Sequence, residues 1–488
     1  MRMQGKWYSI RFLDSVGCTR HDETIMKFPL PRKRKKPPTL VDGQKEKPRQ
    51  KLETLKAGKL ATLALAFTKT LVDLYGPRVA GSDAGHSAAE AIEDAYKHFC
   101  DETTKTKFPL DTKAHSQPFT IMIILYPLLV VLMLIGLPWI SLLLFIGFCY
   151  YVARELYFYR PFARKNRCNA EGVNVHGVLE PKEEVQHTLI FSSHHDSAPL
   201  QRYNQLDWFS YVKNVLFPVG LFIACGVLAL VQIFSELLAS ALFLPNIPSI
   251  AQLILLILFL GATPLLFPLR SMYEKEGSPG AGDNLVSVGM TVQLARYFHW
   301  RKDCGKPLRN TRLIFCSFDG EEAALQGSRH WYASMADSLI DPIALNFDSV
   351  YYSDQITFLE KDVNGTQQLD ASLARRCTEI AHSMGYESRS EAIPRLWGGT
   401  DAAEASRCGI SATTLTAVAW DDRSKPSVQH TRNDVVEAIE PSALERALSI
   451  AIKLTDMVDG KRLWEESKEE EEEPQTEVSL IFSKLTNR

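Results

Sequence analysis

The 488-residue sequence lacks the features of a disulfide-rich or secreted protein. It has 9 Cys, an odd and low count for this length, and no two of them form a Cys-x-x-Cys pair. A disulfide scaffold is therefore excluded, and a reducing compartment is expected. The N-terminal residues are charged, but no apolar run of the kind found in secretory leaders follows them.

The sequence also lacks a strong net charge, with 55 Lys and Arg against 57 Asp and Glu. No overall field attracts nucleic acid, so none is expected as a partner. The charge is nevertheless biased locally, because residues 1–55 form a basic arm and residues 461–488 form an acidic tail. We predict that both are disordered. For the arm, a solvated tail and attraction to anionic lipid headgroups are both open.

Long apolar runs are abundant. Residues 119–153 contain no charge, and further runs cover 215–234 and 250–269. A membrane helix needs about 20 apolar residues, so these runs predict four spans, with a turn at Gly136-Leu137-Pro138. One long kinked helix is the alternative for 119–153. Burial of all four runs in one soluble core is the other alternative, and it would require too much apolar surface.

The basic residues predict how the spans are oriented. They flank the two hairpins at the ends opposite the turns, at Arg154, Arg160, Arg164, Lys165, Arg167, Arg202, Lys213, Arg270 and Lys275. The turns at 136–138 and 235–249 have none. By the positive-inside rule the flanks face the cytoplasm. We therefore expect an integral protein of the cytoplasmic (inner) membrane, in contact with lipid, with its soluble part on the cytoplasmic side.

The remaining sequence predicts an α/β domain. Residues 188–192, 312–316 and 343–345 are short apolar runs typical of buried strands, and 56–100, 286–298 and 435–458 have helical periodicity. The predicted organisation is a basic arm (1–55), an N-terminal helical part (56–117), hairpin 1 (118–153), a segment with the first candidate ligand (154–210), hairpin 2 (211–270), the main segment (271–460) and the acidic tail (461–488).

Of five clusters of potential metal ligands, three follow predicted strands, one opens a predicted helix and one comes last in the sequence. They are Ser193-His194-His195-Asp196-Ser197, Gly282-Asp283-Asn284, Asp319-Gly320-Glu321-Glu322, Asn346-Phe347-Asp348-Ser349 and His430-Thr431-Arg432-Asn433-Asp434. Open α/β sheets gather ligands at the carboxyl ends of their strands, so these clusters are expected to converge. Histidine and carboxylate ligands suit zinc, and a two-metal site needs a bridging carboxylate, terminal ligands and a separate base.

This ordered series resembles the zinc aminopeptidase and glutamate carboxypeptidase family, whose relatives include glutaminyl cyclases. The matching stretches are SHHDS, PGAGDN, FDGEE with GSRH, NFDS and HTRND, together with Gly76–Ser82, GGTD at 398–401 and CGISA at 408–412. The resemblance implies a mixed central sheet flanked by helices, here with about four inserted transmembrane helices. It further implies two zinc ions per chain and hydrolysis of a peptide substrate by a metal-bound hydroxide.

The resemblance also implies residue roles. His194 and Asp348 would bind one zinc, Glu322 and His430 the other, and Asp283 would bridge. Glu321 would be the general base, and Asp196 would orient His194.

His195 remains an alternative ligand, His330 is interpreted as structural, and Arg395 and Trp397 are possible substrate contacts or ordinary loop residues. Gln429 stands before the last His, where relatives often have an aromatic residue.

Three functions are weighed. The first is an exopeptidase, expected to be an aminopeptidase. The second is a glutaminyl cyclase-like acyltransferase with one zinc, and the third is an inactive membrane module, as in the transferrin-receptor branch. The complete ligand set favours an enzyme. Substrate side-chain preference and oligomeric state are not predicted.

Overall fold

The computed structural model describes residues 57–162, 167–203, 208–238, 248–422, 424–461 and 463. The predicted basic arm, almost all of the acidic tail, most of the turn at 235–249, and Arg164 and Lys165 lie outside these residues. Those predictions therefore stay predictions.

A nine-stranded mixed sheet organises the α/β part of the chain. The strands are β1 (Glu102–Leu110), β2 (Ala170–Leu179), β3 (His187–His194), β4 (Pro199–Gln201), β5 (Tyr273–Gly277), β6 (Thr311–Phe318), β7 (Pro342–Val350), β8 (Ile356–Asp362), β9 (Gln367–Gln368), β10 (Arg389–Ala392) and β11 (Ser411–Ala417). Their order is β1-β2-β6-β3-β7-β11-β8-β10, with β9 beside β8, while β4 and β5 form a separate pair. The four central strands, β6, β3, β7 and β11, are parallel to one another.

The helices surround this sheet or form a separate apolar bundle. They are α1 (Ala57–Tyr75), α2 (Asp83–Lys97), α3 (Gln117–Leu134), α4 (Pro138–Val152), α5 (Trp208–Tyr211), α6 (Phe217–Leu238), α7 (Ile250–Gly261), α8 (Val286–Asp303), α9 (Gln326–Met335), α10 (Ala371–Ser383), α11 (Ala402–Arg407) and α12 (Pro441–Asp459). The predicted fold class, a mixed sheet flanked by helices, is confirmed.

The central strands are buried on both faces, as expected for a parallel sheet between helices. In β3, Leu189 and Phe191 pack into the core that contains α1, α8 and α12. Ile190, between them, packs into the core beside α9 and α11. Successive side chains point to opposite faces, so an uninterrupted apolar run is what this position requires.

Among the described residues, four helical segments are long and apolar enough to cross a membrane: Gln117–Leu134, Pro138–Tyr157, Trp208–Leu238 and Ile250–Ser271. Their most apolar stretches are only 11% to 33% buried within the protein, so most of their apolar surface faces outward. The buried remainder forms an apolar cluster of its own, which includes Tyr126, Leu129, Phe148 and Phe222. This arrangement differs from the soluble-core alternative, in which these helices would be covered.

The turn predicted in the first apolar run is present. α3 ends at Leu134 and α4 begins at Pro138, and Gly136 between them has a φ of 77°. Glycine adopts this left-handed conformation without the steric cost that a Cβ imposes. The single kinked helix, the alternative for 119–153, is therefore wrong.

Two predictions of local structure need correction. The segment 56–117 was expected to be helical, but it also contains β1, which pairs with β2 from Glu102↔Val178 to Leu110↔Ala170. Its lysine-rich sequence is typical of an edge strand, and its pairing depends on a distant segment, so local periodicity missed it. The helix predicted at 435–458 begins later, at Pro441, because proline is favoured in the first turn of a helix.

A substitution at Gly327, in α9, tests how closely this helix packs against the sheet. A Cβ at this position would lie 2.0 Å from the Asp319 backbone oxygen and 2.7 Å from the Asn174 side chain. We therefore expect Gly327→Ala to lower the free energy of unfolding by about 1–3 kcal/mol through overpacking. The measurement is thermal unfolding of the purified protein in detergent. Gly220→Ala is the control, since a Cβ there meets nothing within 4 Å. Equal stability of both variants would contradict the close approach.

Candidate metal centre

The parallel strands bring three predicted residues together at one edge of the sheet. His194 ends β3, Glu321 follows β6, and Asp348 lies near the end of β7. One ligand atom from each of these residues lies within 4.8 Å of the others. The convergence expected from the carboxyl ends of neighbouring strands is therefore observed for these side chains.

A second group lies beside the first and consists of Asp283, Glu322 and His430. The Asp283 carboxylate lies between the two histidines, with Oδ1 3.3 Å from His194 Nε2 and Oδ2 3.1 Å from His430 Nε2. Glu322 Oε1 is 3.3 Å from His430 Nε2. Each oxygen of Asp283 thus faces a different group, which is the arrangement that a bridging carboxylate requires.

Asp196 connects the first histidine to the glutamate pair. Its Oδ1 lies 3.4 Å from His194 Nδ1, and its two carboxylate oxygens accept hydrogen bonds from the backbone N–H groups of Glu321 (3.3 Å) and Glu322 (3.1 Å). The His194 ring and the turn that carries both glutamates are therefore held by one buried side chain. A carboxylate behind a ligand histidine fixes the orientation of the ring.

Two buried side chains without a predicted role hold the loop that carries Asp283. The Arg78 guanidinium donates to the backbone oxygens of His195 (2.9 Å), Pro279 (3.0 Å) and Gly280 (2.8 Å). Asp434 accepts from the backbone N–H groups of Gly282 (2.8 Å) and Asp283 (3.2 Å). Both lie in stretches that carry the family resemblance, Gly76–Ser82 and HTRND, but their partners are more than 100 residues away in the chain.

The cluster has the chemistry of a cation site. His194 Nε2 and Glu322 Oε1 are buried atoms without a hydrogen-bond partner among the described residues. Burial raises the pKa of Glu321 well above its ordinary value, and the charges of Glu322 and Asp348 raise it further. Four carboxylates this close together repel one another unless cations lie between them, and histidine nitrogen with carboxylate oxygen suits zinc. The residues present therefore fit the implied metal.

Three other residues that the sequence singled out belong to neither ligand group. His195 lies outside both groups, with Nδ1 2.9 Å from Ser317 Oγ, and burial lowers its pKa to about 3. The His330 ring stacks on Phe108, away from the ligands. Gln429 donates to Ser349 Oγ at 2.7 Å, beside Asp348.

A cavity of about 830 Å³ opens onto the cluster, which is a typical size for a small-ligand site. Asp283, Glu321, Glu322, Asp348 and His430 line it. Trp397 also lines it, whereas Arg395 is not among its lining residues. Of the described residues that surround the cavity, none is Lys or Arg.

Residues 270–455 match peptidase family M28. Four of the five proposed ligands and Glu321 lie within the matched segment, and His194 precedes it. The resemblance inferred from the motifs, to zinc exopeptidases and their glutaminyl cyclase relatives, is confirmed by this match. No curated protein matches the chain by sequence.

Several solved structures are similar to the chain at low sequence identity. A glutaminyl cyclase from Bacteroides thetaiotaomicron bound to N-acetylhistamine is 13% identical, with a TM-score of 0.47 over 81% of this chain and 97% of that one. A Zn-dependent exopeptidase from Parabacteroides distasonis is 14% identical, with a TM-score of 0.45 over 81% and 97%. A leucine aminopeptidase precursor from Bacteroides thetaiotaomicron is 13% identical, with a TM-score of 0.46 over 81% and 96%.

Asp434 provides a test of how the Asp283 loop is held. Asp434→Ala removes the acceptor for two backbone N–H groups, so we expect zinc affinity to fall by about 10–100-fold, as for other groups that support metal ligands. The measurement is competition for zinc with a chromophoric chelator. Asn433→Ala, at the exposed neighbouring position, is the control and should bind as the unmodified protein does. Equal affinity in both variants would show that Asp434 does not support the site.

Proposed function

We propose that the protein is a membrane-anchored, zinc-dependent aminopeptidase with two zinc ions per chain. The observation that carries the proposal is the position of Asp283 between His194 and His430, at 3.3 Å and 3.1 Å. Asp283 belongs to the group with Glu322 and His430, and its other oxygen faces His194 of the neighbouring group, which favours a pair of cations. A one-zinc cyclase would not need both groups.

In this proposal His194 and Asp348 would hold one zinc, Glu322 and His430 would hold the other, and Asp283 would contribute to both. Zinc bound there would polarise the scissile carbonyl and acidify water, so that water attacks at neutral pH. Burial and neighbouring carboxylates also raise the proton affinity of Glu321, whose Oε2 lies 3.8 Å from His194 Nε2.

Glu321 acts as the general base. Its carboxylate takes the proton of the attacking water and then delivers it to the leaving amide nitrogen. Asp196 keeps the Glu321 and Glu322 backbone and the His194 ring in position.

The charge of the cavity favours an amino terminus over a carboxyl terminus. Its charged lining is formed by Asp283, Glu321, Glu322 and Asp348, and none of its described lining residues is a Lys or Arg that would bind a terminal carboxylate. We therefore propose an aminopeptidase rather than a carboxypeptidase.

Glu321→Gln tests the proposed base. The amide cannot accept a proton, so we expect near-complete loss of turnover of an aminoacyl amide while zinc content stays at two per chain. Zinc is measured by elemental analysis, and an N-terminal Gln peptide is assayed in parallel for cyclisation. Unchanged cleavage would refute the base assignment. Cyclisation by a protein with one zinc would establish the cyclase instead.

The membrane topology is part of the proposal. The four apolar segments cross the membrane, and the catalytic domain lies on the cytoplasmic side with the basic flanks.

Single-cysteine variants test this topology. In sealed inverted membranes, a membrane-impermeant thiol reagent should label the exposed Cys408 of the catalytic domain. It should label a Gly136→Cys variant only after permeabilisation, because the turn lies on the other side. The reverse labelling pattern would overturn the proposed orientation.

A further inference from the structure

The cavity is lined in part by residues that lie at or directly beside the ends of all four apolar segments. His115 lies two residues before α3, and Tyr211 ends α5 at the start of the third apolar segment. Tyr273 follows the fourth segment, and the end of the second contributes Val152, Leu156 and Tyr157, with Tyr159 just beyond it. One cavity therefore joins the candidate metal centre to the end of the helix bundle.

Hydrogen bonds fix the end of the second apolar segment against the catalytic domain. Asn364 donates through Nδ2 to the Tyr157 backbone oxygen at 2.8 Å. The Arg407 guanidinium donates to the backbone oxygens of Phe158 (2.9 Å) and Tyr159 (3.1 Å). These side chains satisfy carbonyl groups that a helix end leaves open. These hydrogen bonds therefore fix the position of the helix end relative to the cavity.

Loop 394–398 is held against the same helix end. Gly398 N donates to Asn364 Oδ1 at 3.0 Å, and the same Asn364 side chain binds the Tyr157 backbone oxygen. Leu396 and Trp397 line the cavity and are also 82% and 41% exposed. An exposed leucine and tryptophan tied to the end of an apolar helix are typical of the membrane interface.

Exposed aromatic side chains also lie at the start of the third apolar segment. Trp208 and Phe209 are both 72% exposed. Aromatic side chains collect at the headgroup level of membrane proteins, so these rings place the lipid surface near residue 208. Tyr211, one turn further along, lines the cavity. The lipid surface and the cavity therefore lie at nearly the same height on this segment.

We propose that the substrates are polypeptides anchored in the membrane, whose amino termini are trimmed within a few residues of the lipid surface. This inference rests on the proposed aminopeptidase function. It follows from a cavity that has the metal centre on one part of its lining and the ends of all four apolar segments on another. A peptide that leaves the bilayer would reach the metal centre without crossing the domain.

A spacer series tests the distance between lipid and cavity. Peptides with one common amino-terminal sequence are linked to a C-terminal lipid anchor through spacers of about 4, 8, 12 and 20 residues, each extended residue spanning about 3.3–3.6 Å. The full chain is reconstituted in vesicles with each peptide. We expect the shortest spacer to be cleaved within about 3-fold of the longest, because the effective concentration vanishes only where a linker cannot reach. Cleavage that requires the two longest spacers would overturn the inference.

The peptide without an anchor separates this inference from the proposed function. If this free peptide is cleaved but the short-spacer peptide is not, the membrane-substrate inference fails and the aminopeptidase function stands. If no peptide is cleaved, both fail.

Leu396→Asp adds a second readout in the same assay. In vesicles that contain anionic lipid, a carboxylate at this rim position should lower the ratio of short-spacer to long-spacer cleavage by about 10-fold, because the negative lipid surface repels it. Ile340→Asp is the matched control, since Ile340 is exposed but does not line the cavity. The control should leave the ratio unchanged, and equal ratios in the two variants would count against contact between loop 394–398 and lipid.

Discussion

The candidate site depends on the Asp283 carboxylate, which faces His194 with one oxygen and His430 with the other. Buried side chains hold both this carboxylate and the residues that face it. Arg78 and Asp434 hold the loop that carries it, and Asp196 holds the residues on the other side of the cluster. A cluster so rich in carboxylates is stable only when its charge is compensated, which links the fold of this region to the binding of cations.

The inserted helices do not disturb this arrangement, and topology explains why. Each insert consists of two apolar segments, so in the proposed topology the chain would return to the side of the membrane from which it left. The first insert lies between β1 and β2, and the second lies between β4 and β5. β4 and β5 pair with each other at the base of the second insert. In the proposed topology, both inserts therefore leave the proposed metal ligands on one side of the membrane.

Much of the site could be predicted from the sequence, because ligands that follow strands occur in short recognisable clusters. His194, Glu322 and Asp348 are examples, and β3 and β6 could be predicted from their apolar runs. The four long apolar helices could be predicted because uncharged runs of about twenty residues are typical of membrane helices. These signals are local, so one sequence is sufficient to find them.

The parts that could not be predicted depend on contacts between distant residues. β1 forms because β2 pairs with it, and Arg78 acts through backbone oxygens more than 100 residues away. Tyr159 and Tyr273 line the cavity only because the bundle ends there. Neither tyrosine lies in a motif, and no periodicity marks them. An alignment of related chains with the same inserts would have provided the missing signal.

We propose that Asp283 lies between two zinc ions, and X-ray absorption at the zinc edge tests this proposal. For the protein loaded with zinc, we predict a zinc–zinc scattering distance of about 3.5–4 Å and ligation by nitrogen and oxygen. Loss of the zinc–zinc signal is predicted for Asp283→Ala. A single isolated zinc in the unmodified protein at saturating zinc would contradict the account.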